Sequence, residues 1–400
     1  LLATVQEFAR ELLAASGSTG VVRRRHALYM LELAEAAEPH LIGPQQGEWR
    51  RLLMVEHDNM VAALKWSLAE SSDSIIGLRI SMALLWYWKP LGYRREGLTW
   101  LEAALARCSD CAPGVRAHAL HGAGTLAGRL LDYALAERRL EEALTLSRTL
   151  GDVSGILDTL LQLCAFTREQ GSYERARALA DESLTLARQH RRLDVVVASL
   201  LELGNIALAQ GDYGRALTCY DAALPDARQS GNMQTIGWIV ANMGRVALEQ
   251  GATQQAEELY QESSDLFERA GLLDSLAWMG YELGRVALQR GEVDQAAQRF
   301  VSALEQAQTM GLALLMACAL EGLAALRSSR WPLHAARLLG AASQIRSDIA
   351  NPPTCAEQAQ QVRISAQLHR MLDAPGFAAA WQSGRQLSWE QAVEEAHVQV

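Results

Sequence analysis

The chain has 400 residues, half of them hydrophobic and 21% charged, with a formal net charge of -9. That acidic balance argues against a broad nucleic-acid surface, which needs an excess of Lys and Arg, so no direct nucleic-acid partner is expected. No uninterrupted apolar run reaches 18 residues and no secretory leader precedes the first helix, so the expectation is a soluble cytoplasmic protein with no membrane partner.

Three helical stretches are predicted near the N-terminus, at about 7–13, 26–37 and 48–70, separated by a glycine-bounded turn at 17–20 and a proline-led loop at 39–47. Arg23-Arg24-Arg25 is the main basic cluster and reads as a helix flank, with phosphate contact as the alternative. Glu56-His57-Asp58 puts acid, base and acid in succession, but neighbours on a helix point about 100° apart and cannot converge as a triad unaided. A structural, capping or interdomain role is expected there. Trp86, Tyr87, Trp88 and Tyr93 should form core where the repeats begin. Of six cysteines only Cys108 and Cys111 have ligand-like spacing, and no second pair completes a zinc site. His118 and His121 share a helical face beside Gly122 and Gly124, without an H-E-x-x-H pattern, which favours packing over metal.

From here the chain repeats itself. Gly171-Ser172-Tyr173-Glu174-Arg175-Ala176 recurs as Gly211-Asp212-Tyr213-Gly214-Arg215-Ala216, then at Gly251 and Gly291, with a weaker copy at Trp331. Positions 100, 140, 180, 220, 260, 300 and 340 read Trp, Leu, Ala, Tyr, Tyr, Phe and Gly, and positions three residues on are all Ala or Ser. Such a period is the mark of stacked helix pairs that cannot bury their apolar faces alone. Leu200, Leu203, Gly204 and Ala207 form the stripe of one helix, and Ala216, Tyr220 and Ala223 that of the next. Gly204, Gly244 and Gly284 occupy one slot; each costs roughly 1 kcal/mol of helix propensity, so a close backbone contact is expected to compensate. Pro225 is expected to kink or end its helix early. The predicted organisation is an N-terminal helical segment at 1–80, about seven helix pairs at 81–350, and a cap at 351–400. In that cap two short helices, near 355–372 and 388–398, flank the segment 377–384.

The unit Leu200-x2-Leu203-Gly204-x2-Ala207, followed by Gly211-x-Tyr213-x2-Ala216-x3-Tyr220-x2-Ala223, resembles the tetratricopeptide repeat, though the period here is 40 and the family's is 34. The fold expected is therefore an all-α, tetratricopeptide-like superhelix. A second resemblance rests on the two ends. Thr4-Val5-Gln6-Glu7-Phe8-Ala9, Val22-Arg23-Arg24-Arg25-His26-Ala27 and Glu56-His57-Asp58-Asn59-Met60 stand at one end. Ala335-Ala336-Arg337-Leu338-Leu339-Gly340-Ala341-Ala342 and Phe377-Ala378-Ala379-Ala380-Trp381-x2-Gly384-Arg385 stand at the other. Together they are similar to the C-terminal sensor region of large bacterial signal-transducing (STAND-type) ATPases that act as transcriptional regulators. That resemblance implies an upstream ATP-binding module, a winged-helix segment ending within 1–15, and control of assembly or DNA binding by the repeats. The chain begins Leu1-Leu2, as though cut from something longer. It carries no G-x-x-x-x-G-K-[ST] loop, so no cofactor is expected within it, and ATP is implied only for the upstream domain.

In a tetratricopeptide array the first helix of each pair lines the inner face. Carried over, the inward slots hold Ala198, Trp238 and Trp278; Leu201, Ala241 and Tyr281; and Asn205, Arg245 and Arg285, with Asn242 and Glu282 at the edge. Aromatic area beside guanidiniums suits an acidic or amphipathic peptide, another domain of the same protein or a small inducer. The expected contact residues are Asn205, Trp238, Asn242, Arg245, Trp278, Tyr281 and Arg285; interhelical packing of the tryptophans and internal ion pairing of the arginines are the alternatives. The function read from the sequence is a protein- or ligand-binding sensor of a transcriptional regulator, with a stand-alone adaptor as the second reading. An enzyme is not expected, because no acid, base and nucleophile converge.

Overall fold

The computed structural model describes residues 8, 11–41, 46–69, 73–88, 93–108, 110–349, 351 and 353–397. All regular structure among them is helical. The chain divides into two compact units, residues 1–159 and 160–400. The expected winged-helix remnant falls largely outside the described residues.

The first unit holds α1 (Thr19–Ala37), a 3-10 turn (Glu38–His40), α2 (Gln46–Val55), α3 (His57–Ala69), α4 (Ser74–Ala83), α5 (Leu85–Trp88), α6 (Arg94–Arg107), α7 (Pro113–Arg129) and α8 (Tyr133–Leu150), and the start of α9 (Val153–Glu169). The single helix expected over 48–70 is two, α2 and α3, meeting at a bend at Glu56, where Glu56 N still donates to Leu52 O and Met60 N to Glu56 O. Trp88 and Tyr87 are buried as expected, while Trp86 is partly exposed. Arg24 pairs with Asp73 at 3.3 Å.

The second unit continues with α10 (Tyr173–Gln189), α11 (Leu193–Ala209), α12 (Tyr213–Ser230), α13 (Met233–Glu249), α14 (Thr253–Ala270), α15 (Leu273–Arg290), α16 (Val293–Met310), α17 (Ala313–Arg327) and α18 (Pro332–Asp348). A residue with positive φ recurs every 20 positions, at 131, 151, 171, 191, 211, 231, 251, 271, 291 and 311. The turns therefore come twice per 40-residue repeat. At Gly211 the amide donates to Leu208 O (3.0 Å) and Asp212 N to Ala207 O (2.9 Å), which satisfies the last carbonyls of α11. Asp212 then accepts from Arg215 N at 3.1 Å and opens α12. Two residues thus end one helix and start the next.

Packing explains the two periodic series together. A Cβ on Gly204 would strike the Tyr220 ring; on Gly244 it would lie 2.9 Å from Tyr260, and on Gly284 2.8 Å from Phe300. The close approach expected at these glycines is made by an aromatic ring of the following helix and not by backbone, and all three rings are fully buried. The small slot three residues beyond the ring is equally closed: Ser183 accepts from Ser199 Oγ at 2.9 Å, and Ser263 Oγ donates to Gly237 O at 2.9 Å.

Two expectations need correction. Pro225 does not end its helix, since α12 runs through it to Ser230; the proline forfeits a single ladder bond and the flanking turns carry the helix on. The segment 377–384 is not a connection between two cap helices. It belongs to a third helix, so the cap comprises α19 (Cys355–Met371), α20 (Ala374–Arg385) and α21 (Trp389–His397). Asp373 caps α20 by accepting from Gly376 N at 3.1 Å, and Pro375 lies in its first turn. Gly340 of α18 and Gly384 of α20 let the two helices cross at backbone contact: a Cβ on the first would meet Trp381 O, and on the second Arg337 O.

Candidate functional site

On the first helices of three consecutive pairs, α9, α11 and α13, lies a cavity of about 330 Å³. Arg168 enters from α9, Leu201, Glu202, Asn205, Leu208 and Ala209 from α11, and Trp238, Asn242, Arg245 and Glu249 from α13. Tyr213 and, from just before the cap, Thr354 complete the wall. The 40-residue period dictates this convergence: 202 and 242 occupy one slot, 205 and 245 another, each a helical turn apart.

The floor is a hydrogen-bonded asparagine pair. Asn242 Nδ2 donates to Asn205 Oδ1 at 2.9 Å, and Tyr220 Oη donates to the same oxygen at 3.1 Å. Glu202 accepts from Arg168 Nε at 2.9 Å. Deeper in, Glu282 is 3% exposed and accepts from Tyr260 Oη at 3.1 Å and Arg285 Nη1 at 3.0 Å; Arg245 Nε lies 3.3 Å from its other oxygen. Arg285 also pairs with Glu249. Burial alone would lower the Arg245 pKa, but Glu282 outweighs it and holds the guanidinium above its ordinary range. The cavity wall itself includes two guanidiniums, Arg168 and Arg245, and two carboxylates, Glu202 and Glu249. Such a lining is matched in charge, rich in donors and acceptors, and apolar along Trp238, Leu201 and Leu208.

Of the seven expected contact residues, Asn205, Trp238, Asn242 and Arg245 come together here. Trp238 lines the cavity and also packs between helices, its ring 5.1 Å from Phe267. Trp278, Tyr281 and Arg285 do not line the cavity. Trp278 stands edge-on to Tyr281 at 6.0 Å, Tyr281 is buried against Phe300 at 5.6 Å, and Arg285 is engaged by two carboxylates. Sequence reasoning missed Glu202 and Arg168. Glu202 shares the slot of Asn242 and Glu282 and was legible from the period; Thr354 was not, because it comes from outside the repeats.

The other candidates disperse. Glu56 accepts from Asn59 Nδ2 at 2.7 Å, whereas His57 turns to Tyr87 Oη (3.2 Å) and Glu96 (3.4 Å). His118 is exposed and His121 Nδ1 lies 3.2 Å from Thr159 Oγ1. Cys111 Sγ donates to Cys108 O at 3.1 Å. Among the described residues, no group of three or more His, Cys, Asp or Glu could hold a metal ion, and no helix is long and apolar enough to cross a membrane.

Residues 194–269 match the tetratricopeptide repeat family, over a stretch that includes α11, α13 and the asparagine pair. No curated protein sequence matches the chain. Solved structures do. A Rap protein complexed with Competence and Sporulation Factor superposes with a TM-score of 0.53 at 14% identity, covering 91% of this chain and 99% of the other. NprR in complex with its cognate peptide NprX gives 0.52 at 16%, covering 72% and 84%. Aspartyl phosphate phosphatase F from Bacillus subtilis gives 0.54 at 13%, covering 91% and 94%. At these identities the likeness is one of fold: a tetratricopeptide-like stack of helix pairs.

Proposed function

We propose that this chain is the peptide-sensing region of a bacterial transcriptional regulator, acting by binding and not by catalysis. The observation that carries the reading is the cavity on α9, α11 and α13, where paired asparagines, an indole face and the Arg168–Glu202 ion pair meet on repeat-defined slots. A peptide segment fits that lining chemically: its amides alternate donors and acceptors, as the asparagine pair does, and an apolar side chain can rest on Trp238. The charge-matched wall disfavours a strongly charged ligand of either sign. The fold likeness to a Rap protein solved with Competence and Sporulation Factor and to NprR solved with its cognate peptide NprX supports a peptide as the class of ligand. The regulator assignment rests on the terminal motifs that resemble STAND-type ATPases. In that setting ligand binding favours one arrangement of the parent protein over another, and ATP serves only a domain outside this chain.

Binding of fluorescent synthetic peptide pools to the full chain, followed by anisotropy, tests the reading. Trp238→Ala and Asn242→Ala should each weaken the selected peptide at least about tenfold, or about 1.4 kcal/mol, while helical content stays native. Equal affinity for wild type and both variants would sink it.

A further inference from the structure

A solenoid cap has one routine task, to cover the bare face of the last pair. Two cap helices do this. Ala392, Val393 and Ala396 of α21 are buried, Arg327 Nη2 donates to Ala396 O at 2.8 Å, and α20 meets α18 through Gly340 and Gly384. The third, α19, is placed differently. Cys318 and Glu321 occupy in α17 the slots that Trp278 and Tyr281 hold in α15, so they belong to the inward face. The first turns of α19 lie on them: Glu357 Oε1 is 3.9 Å from Cys318 Sγ and 3.5 Å from Arg346 Nη2, and Gln361 Nε2 donates to Glu321 Oε1 at 2.7 Å. Burial would raise the Glu357 carboxyl, yet Arg346, Arg245 and the Thr354 cap together hold it below its ordinary range, so Arg245 of the cavity wall is electrostatically tied to α19. Thr354, directly before α19, is itself part of that wall.

The hold of α19 is meagre for a 17-residue helix. Its buried apolar anchors among the described side chains are Ile364 and Leu368. Beside it, against α18 and α20, a cleft of about 840 Å³ opens to solvent, walled by residues such as Leu339, Ser343, Val362 and Trp381. Arg346, 5% exposed, keeps Nη1 buried without a partner. An unsatisfied buried donor subtracts from the docked state, and undocking relieves it.

We propose that α19 is a releasable strap, a helix of this chain that occupies the inward face beyond Arg245 and whose departure lengthens the ligand cleft towards Tyr281, Cys318 and Glu321. The proposal rests on the reading of that face as a binding surface. Release exposes three inward residues and removes the end wall at Thr354, so the cleft grows from a small cavity to one that admits a longer segment.

Cys318 is a built-in reporter, since its thiol is 1% exposed beneath Glu357. The experiment compares N-ethylmaleimide labelling of the full chain with that of the variant Glu357→Gln/Gln361→Ala, resolved by peptide mass spectrometry. Glutamine at 357 can still complete the capping box with Thr354, so α19 itself stays helical while its charge contact is lost. Cys164, fully buried elsewhere in the same unit, is the internal standard. The expected result is at least tenfold faster labelling of Cys318 with Cys164 unchanged. Equal protection of Cys318 in both chains overturns the strap. So does joint acceleration of both thiols, which would make α19 an inseparable part of the array. Peptide-pool binding to the same two chains separates the two readings. Selective release of Cys318 with no peptide retained by either chain keeps the strap and rejects the peptide ligand; unchanged Cys318 with peptide binding intact does the reverse.

Discussion

Arg191 stands where eight other turns in this chain place glycine, with φ 53, and its amide and that of Arg192 still make the helix-ending bonds to Arg188 O (3.3 Å) and Ala187 O (2.9 Å). A left-handed conformation costs an L-residue roughly 1–2 kcal/mol, and the exposed Arg191 side chain buries little in return. Arg191→Gly is therefore expected to raise stability by about 1 kcal/mol, seen as a higher urea midpoint with an unchanged slope. The opposite sign is expected inside the helix that follows. Gly204→Ala drives a methyl into the buried Tyr220 ring, so it should cost about 1–3 kcal/mol despite the better helix propensity of alanine. A midpoint rise in the second variant, or a fall in the first, would contradict the packing and turn assignments made here.

At the scale of the element, α21 is anchored by a histidine that works only when neutral. His334 Nδ1 accepts from Arg327 Nη1 at 3.2 Å, which obliges Nε2 to carry the proton it donates to Glu395 O at 2.8 Å. Burial, with the neighbouring Arg327 charge, pushes the His334 pKa below its ordinary 6.5, although Glu395 pulls the other way. A depressed pKa means the unfolded chain takes up the proton first. The stability is complete above about pH 6.5 and drains away as pH falls towards the folded value. Lowering the pH from 7.5 to 5.5 should cost at most about 1.4 kcal/mol through this residue, and His334→Asn should lose that increment of pH dependence. Identical pH profiles for both chains would show that the imidazole does not titrate on unfolding. The third cap helix was hidden for a related reason: Asp373 and Pro375 announce a helix start, but the small residues of α20 show little periodicity until Gly384 is seen against α18.

Across the molecule, period was the legible quantity and partner choice was not. The 40-residue spacing fixed the helix pairs, the glycine-under-ring packing and four of the cavity residues, because each is a repeat-internal relation. Tyr281 and Arg285 lie outside the cavity wall, the first packed against the Phe300 ring and the second paired with Glu249 of the preceding pair, and nothing inside one repeat reveals either partner. Thr354 and α19 are non-local and carry no period at all. The same distinction bears on how the chain should unfold. Pairs that lean on sequence neighbours distribute stability locally, so a lesion in one pair should loosen that pair and those adjoining it before the rest. Gly244→Val makes such a lesion, since even a Cβ there lies 2.9 Å from the Tyr260 ring. Hydrogen exchange should accelerate in α11 to α16, with loss of the proposed peptide binding because α13 walls the cavity, while amides of α1 to α7 in the first compact unit keep their protection. Uniform acceleration across both units would mean that the chain unfolds as one cooperative block, and the local account of its stability would have to be abandoned.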